Sequence, residues 1–196
     1  MLLTFVEAEH AYYVDGVRVP NVTSILKPLT DYSMIGEAQM EIARQKGKAT
    51  HRMVELWASG QLESVPVWMK PIEEQWLKFV AETRFELLKS EYRVYHPTYR
   101  FAGTLDLLGN IHGELAIVDI KRSFMAGPAI GYQLAAYESA YFAQHKEAGI
   151  RRAKRFALKL NEQGPYKLEP FTDENDLWVF LACLTVHNAK LKINAS

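Results

Sequence analysis

Apolar and polar positions along the chain change period several times, and each change marks an element. Ala-Tyr-Tyr-Val, Asp15-Gly16 and Val-Arg-Val, over residues 11–19, read as a hairpin, because Asp-Gly supplies the positive-φ positions of a two-residue turn. Pro20 ends it. Asn21-Val-Thr-Ser-Ile-Leu reads as a short helix whose Thr23 and Ser24 hydroxyls can cap it or meet a phosphate at its N-terminus, capping being favoured. Helical spacing predicts a segment from about Met34 to Gln45, an interruption at Gly47, and a second helix from Ala49 to Ala58 that sets His51 and Glu55 one turn apart. Between Pro71 and Lys89, Ile72, Trp76, Phe79, Val80, Phe85, Leu87 and Leu88 alternate with Glu73, Glu74, Lys78 and Glu82 as in a long amphipathic helix. Glu91 then leads into a strand, Tyr92 to Tyr95.

The stretch from Phe101 to Ser123 reads as two apolar strands joined by a turn over Gly109 to Gly113. Both strands carry ionisable residues at mid-strand, where a packed sheet favours none. Alternation puts Asp119 and Lys121 on one face of the second strand, and Thr104, Asp106 and Leu108 on one face of the first. Pairing about the turn brings Asp106 near Asp119, with the Lys121 amine two residues beyond. An acid-x-Lys triplet arises about once by chance in a chain of ordinary composition. This one lies on the most apolar strand with a second Asp at hairpin reach, which favours a divalent-cation site over a solvated charged face.

A helix follows from about Ala129 to Lys146, with Gln133, Tyr137 and Tyr141 in one stripe. Gln133 needs a partner for its amide, and the sheet edge is the nearest candidate. Arg151 to Leu160 alternates as a strand, and Gly164-Pro165 turns it into a short partner, Tyr166 to Phe171. Arg151, Arg152, Lys154 and Arg155 are the densest basic cluster; such clusters are mostly solvated faces, and this one is also the best candidate for phosphate-backbone contact. Thr172 with Asp-Glu-Asn is expected to cap a last helix reaching about Lys192. The order is that of an α+β protein, a small mixed sheet flanked by helices.

Composition narrows the chemistry. The 196 residues suffice for one domain with a substantial core, at 48% apolar and 23% charged. With 23 basic and 23 acidic residues the net charge is zero, so a polyanion would be held by a local basic surface rather than by the field of the whole molecule. The single cysteine, Cys183, excludes an internal disulfide and a cysteine-ligated zinc or iron–sulfur site within one chain. The N-terminal residues lack a secretory pattern, and no stretch approaches the roughly 20 apolar residues of a membrane span, so a cytoplasmic protein is expected.

Gly103-Thr-Leu-Asp106, Val118-Asp119-Ile-Lys121-Arg-Ser and Gln133-x-x-x-Tyr137, preceded by Val22-Thr-Ser-Ile-Leu and Gly47-Lys-Ala-Thr-His51-x-x-x-Glu55, resemble the PD-(D/E)XK nuclease superfamily in its RecB-like branch. They look most like the mitochondrial genome maintenance exonuclease and related phage exonucleases, in order from about Val19 to Tyr141. The resemblance implies a restriction-endonuclease-like core in a single domain, with an N-terminal hairpin and helical cap over residues 1–90 and the sheet core and C-terminal helix over 91–196. It implies metal ligation by His51, Asp106, Asp119 and the Ile120 carbonyl, and Lys121 as the catalytic lysine. Gln133 and Tyr137 would support the site or bind the strand, and Glu91 matches an acidic position ahead of the core hairpin. Thr23, Ser24, Arg122, Ser123, Arg152 and Lys154 are the candidate nucleic-acid contacts. Leu105 replaces the proline of the motif name, and the second acid is Asp; both occur in the branch.

The activity implied is a divalent-metal-dependent exonuclease acting on DNA ends, in phage or prophage recombination or in DNA repair, with a single-strand annealing protein as a partner. Oxygen ligands suit Mg²⁺, and the imidazole shifts preference toward Mn²⁺. A structure-selective or single-strand endonuclease using the same residues, and a DNA-binding module without turnover, are the alternatives.

Overall fold

In the computed structural model, which describes residues 1–30, 36–122, 127–146 and 152–194, the chain opens with a three-stranded antiparallel sheet, β1 (Leu3–Val6), β2 (Ala11–Val14) and β3 (Val17–Val19). Asp15 and Gly16 take φ of 48° and 80° in the β2–β3 turn, as their side chains allow. β1 adds a strand that the hairpin reading lacked. After Pro20 comes α1 (Val22–Leu26), whose N-cap is Asn21: its side-chain oxygen accepts from the Ser24 amide at 2.8 Å. The Thr23 and Ser24 hydroxyls both donate back to Asn21, each at 2.9 Å, so they brace the cap and do not form it.

α2 (Glu37–Ala58) is one continuous helix of 22 residues that runs straight through Gly47. The expected break is absent because one glycine costs only about 1 kcal/mol, and Thr50, Met53 and Val54 are buried just beyond it. The expected start at Met34 lies outside the described residues. α3 (Lys70–Thr83) stops at Arg84, which takes the left-handed conformation at φ 50°. Residues 86–89, read from sequence as helix, belong to β4 (Glu86–His96). Phe85 and Leu87 satisfy either period, and they pack with Trp76 and Phe79 from the strand side of the corner while Leu88 points to solvent.

β4, β5 (Phe101–Ile111), β6 (Glu114–Lys121), β7 (Lys154–Lys159) and β8 (Lys167–Pro170) form the main sheet in that order. β6 and β7 are parallel, joined through α4 (Ala129–Gln144); the other pairs are antiparallel. The β5–β6 hairpin turns on His112 and Gly113 at φ 50° and 83°, tighter than the turn over Gly109 to Gly113 expected from sequence. α5 (Asp176–Asn194) begins later than a Thr172 cap requires, because Asp173 turns the chain first: its carboxylate accepts from the Asn175 amide at 2.8 Å.

Helices cover both faces of the sheet. Ile25, Leu134 and Phe180 from α1, α4 and α5 meet Leu105, Ile117 and Ala157 on one side; Met53, Trp76 and Phe79 from α2 and α3 meet Leu107, Val118 and Leu158 on the other. Double coverage explains why β5 and β6 are apolar almost throughout. The N-terminal sheet is tied on where the Ala102 amide donates to Pro20 O at 3.0 Å, and Tyr12 and Val19 pack against Tyr95 and Ala102. The chain is thus α+β, with a small mixed sheet flanked by helices. Among the described residues no helix is long and apolar enough to cross a membrane.

Two glycines make this packing testable with opposite signs. A Cβ at Gly109 would lie 2.5 Å from both Glu86 O and the Phe85 ring, whereas one at Gly47 meets nothing within 4 Å. Gly109→Ala is predicted to cost about 2–3 kcal/mol, a fall in Tm of roughly 4–12 °C, and Gly47→Ala to raise Tm by roughly 1–4 °C. Thermal denaturation of the two variants checks both signs; a destabilised Gly47→Ala would contradict the continuous helix.

Candidate functional site

The site grows from a row of acids across three strands. In β4 the ladder to β5 pairs Ser90 with Leu107 and Tyr92 with Leu105, which sets Glu91 opposite Asp106. The β5–β6 ladder ends at Leu107 and Val118, so the next position sets Asp106 opposite Asp119. Regular pairing lapses between Glu91 and Asp106 and between Asp106 and Asp119, while Asp119 keeps Ala157 as its partner in β7. Glu91 takes φ 46°, a left-handed conformation that costs a non-glycine residue about 1–2 kcal/mol and that accumulates at functional positions.

Asp106 occupies the gap. Leu160 N donates to Lys121 O across the parallel pair, so residue 121 addresses β7 and residue 120 addresses β5. The Ile120 amide donates to Asp106 Oδ2 at 2.6 Å in a buried setting, instead of to the backbone of β5. His51, arriving from α2, lies with Nε2 3.3 Å from the Ile120 carbonyl and Nδ1 3.3 Å from Glu91 Oε1 and 3.6 Å from Asp106 Oδ1. A carbonyl and a carboxylate both require an N–H, so the imidazole is doubly protonated. Burial opposes that charge, but Asp106, Glu91 and Asp119 outweigh it and push His51 up to about 9.

Behind this cluster, Gln133 of α4 donates through Nε2 to Asp119 Oδ1 at 2.9 Å and to the Tyr137 hydroxyl at 3.1 Å, while its Oε1 accepts from Lys121 Nζ at 3.5 Å. The Lys121 ammonium pairs with Asp119 Oδ2 at 2.7 Å. Burial pushes Asp119 up to about 6, partly offset by Lys121 and reinforced by Asp106. Asp106 is raised too, by burial, against the pull of His51 and Lys121. Burial raises the Tyr137 phenol well above its usual range, so it stays a neutral partner. Gly103 makes room for that ring: a Cβ there would sit 2.6 Å from Tyr137 Cε1.

Oxygen and imidazole donors converge as a hard divalent cation requires. Ligand atoms of His51, Glu91 and Asp106 lie within 4.8 Å of one another, with the Ile120 carbonyl adjacent; Asp119 is not in that group, being held by Gln133 and Lys121.

The other sequence candidates are scattered. Arg122 sits at the same end of the sheet and pairs with Glu162. Thr23 and Ser24 are occupied with Asn21. Arg152 pairs with Glu174 at 2.8 Å and Lys154 with Glu114 at 3.7 Å. In the β6–β7 register Lys154 faces Ala116 and Lys159 faces Lys121, which puts Lys154 and Arg152 at the end of the strand away from the acid row. Arg155 is a structural tie, 3.0 Å from Asp176 and 3.5 Å from Glu138. Glu55 pairs with Arg52 at 2.6 Å. Ser123 and Arg151 lie outside the described residues. Sequence reading passed over Tyr12, whose hydroxyl is 2.7 Å from Thr104 Oγ1 beside the site, and Lys159, because neither carries a local signal.

Compared with family models and with curated proteins, the sequence finds no match. Among solved structures it is similar to an alkaline exonuclease, LHK-Exo, from Laribacter hongkongensis, at 13% identity and a TM-score of 0.36 over 89% of this chain and 92% of that one. It is likewise similar to LHK-Exo in complex with dAMP, at 15% identity and a TM-score of 0.36 over 90% and 93%.

The electrostatics predict a pH signature for the metal-free protein. His51 holds its proton to about 9 when folded against an ordinary 6.5, so its stabilisation is complete below 6.5 and lost as pH rises through 9. Asp119, at about 6 against 3.8, also binds its proton more tightly when folded, which adds a loss of stability as pH rises from 4 to 6. In EDTA, Tm should therefore fall between pH 6 and 9.5, and His51→Gln should flatten the limb above pH 7. A Tm that is constant or rising over that range would contradict the imidazolium.

Proposed function

We propose that the chain is a divalent-metal-dependent deoxyribonuclease that hydrolyses phosphodiester bonds at DNA ends. The observation that carries this reading is the convergence of His51, Glu91, Asp106 and the Ile120 carbonyl beside the Asp119–Lys121–Gln133 group at one end of the sheet. His51, Glu91 and Asp106 would hold Mg²⁺ or Mn²⁺ with the Ile120 carbonyl, and Asp119 stands beside them. When bound, such an ion neutralises charge on the scissile phosphate and makes water nucleophilic near neutral pH.

The remaining chemistry belongs to side chains. His51 must release a proton to ligate, so metal loading is proton-coupled. Lys121, kept in place by Asp119 and Gln133, presents an ammonium to the developing charge on the phosphate or to the attacking water. Gln133 fixes both partners through one amide, and Tyr137 fixes Gln133. The preference for ends follows the sequence resemblance, as do a role in recombination or repair and a single-strand annealing partner.

The test is digestion of end-labelled duplex and single-stranded DNA, and of closed circular DNA, with Mg²⁺, with Mn²⁺ and with EDTA. Expected are metal-dependent loss of linear substrate, an intact circle, and a fall of at least about 10²-fold in Lys121→Ala with DNA binding retained. Cleavage of the circle would make the enzyme an endonuclease. Binding without cleavage under any metal would leave a DNA-binding module.

A further inference from the structure

Arg122 follows Lys121 directly and sends its guanidinium toward the segment after β7, where Nη2 pairs with Glu162 Oε2. The other oxygen of the same carboxylate, Oε1, accepts from Lys46 Nζ of α2 at 2.8 Å. One carboxylate thus holds two cations from separate elements, one on each oxygen. Lys46 is steadied by the Trp68 ring, 5.6 Å from the ammonium. Arg122 Nη1 is buried with no hydrogen-bond partner among the described residues. Gln75 of α3 anchors the segment just before Glu162, donating to Asn161 O at 2.6 Å and accepting from its amide at 3.4 Å.

We propose that Glu162 stands in for a backbone phosphate of the DNA strand, about two nucleotides from the scissile bond, and that the strand displaces it on binding. The inference rests on the nuclease reading and names a further contact of that site. A phosphodiester carries the same single negative charge as a carboxylate, spread over two non-bridging oxygens that can take the same two cations. Its further acceptor oxygens also offer a partner to Arg122 Nη1, which Glu162 leaves unpaired. Position agrees. Lys46 precedes His51 by five residues on one continuous helix, roughly 7.5 Å along its axis, and each nucleotide of a strand advances about 3.4 Å. Glu162 is also able to leave, since its side chain is 32% exposed and lies beyond the last β7 residue. The simpler reading is a clasp that joins α2 to the sheet; it predicts lost stability on removing Glu162 and no gain in affinity.

The experiment is fluorescence anisotropy of a labelled single-stranded oligodeoxynucleotide, in EDTA so that no turnover occurs, with Tm measured in parallel. Glu162→Gln removes the competing charge and should tighten binding by roughly three- to tenfold, while Arg122→Gln should weaken it by about tenfold. Lys46→Gln, at a half-buried position of α2, should reduce the magnitude of the log–log salt slope by about 0.7, one phosphate's worth on a single strand. Wild-type binding that Glu162→Gln leaves unchanged or weakens overturns this inference alone. Should Glu162→Gln fail to fold, an unchanged salt slope in Lys46→Gln overturns it equally. Absence of wild-type binding overturns this inference; joined to an absence of metal-dependent digestion, it overturns the nuclease reading beneath it as well.

Discussion

The Ile120 amide donates to a buried carboxylate where a regular hairpin would have it donate to backbone, and the geometry of the site follows from that exchange. A buried amide left unpaired costs about 1–3 kcal/mol, so strands do not part unless something takes the freed group. Asp106 takes it. The strands can then separate at one end, and the Ile120 carbonyl, on the same edge as the amide, is available to His51. On the other side of β5 the ladder to β4 also lapses, where Glu91 stands opposite Asp106 in its left-handed conformation and turns its carboxylate to His51. A central strand closed on both faces by helices thereby gains a polar end in which the Ile120 amide keeps a partner.

Charge balance explains why this end is poised for a cation. Three carboxylates, Glu91, Asp106 and Asp119, face two cations, the His51 imidazolium and Lys121, which leaves a net of −1 with all five ionised. The raised Asp106 and Asp119 and the raised His51 are the same fact seen from both sides: the folded protein holds protons it would otherwise release. A divalent ion in exchange for the His51 proton brings the sum to zero. Structural ion pairs do not require such an exchange; Arg155 with Asp176 and Glu138 is closed and hydrogen-bonded to backbone as well.

Much of this was legible in the residues. Alternation and a hairpin bring Asp106, Asp119 and Lys121 to one region of the sheet, but the exact pairing waits on the tighter His112–Gly113 turn, since a turn over Gly109 to Gly113 would set Asp106 opposite Ala116. Gln133 stood out because an amide on an apolar stripe needs a partner, and it has three. The errors share a cause, which is that local pattern says little about what a segment packs against. Phe85 and Leu87 fit a helix or a strand equally well, and Arg84 decides between them by turning left-handed. Gly47 reads as a break until Met53 and Val54 are seen buried beyond it. Arg152 and Lys154 were singled out for their density, but density along a strand does not reveal which end meets the site; Lys159, alone in its run, is the basic residue paired beside Lys121.

The central claim is that His51 and the opened end of the β5–β6 hairpin hold one divalent ion, and pulsed electron paramagnetic resonance of Mn²⁺ added to the purified protein tests it without reference to turnover. The account predicts a single saturable site with nitrogen modulation from one imidazole, the modulation lost in His51→Gln and the binding itself lost in Asp106→Asn. Saturable binding with no nitrogen coupling, or binding indifferent to both substitutions, would contradict it.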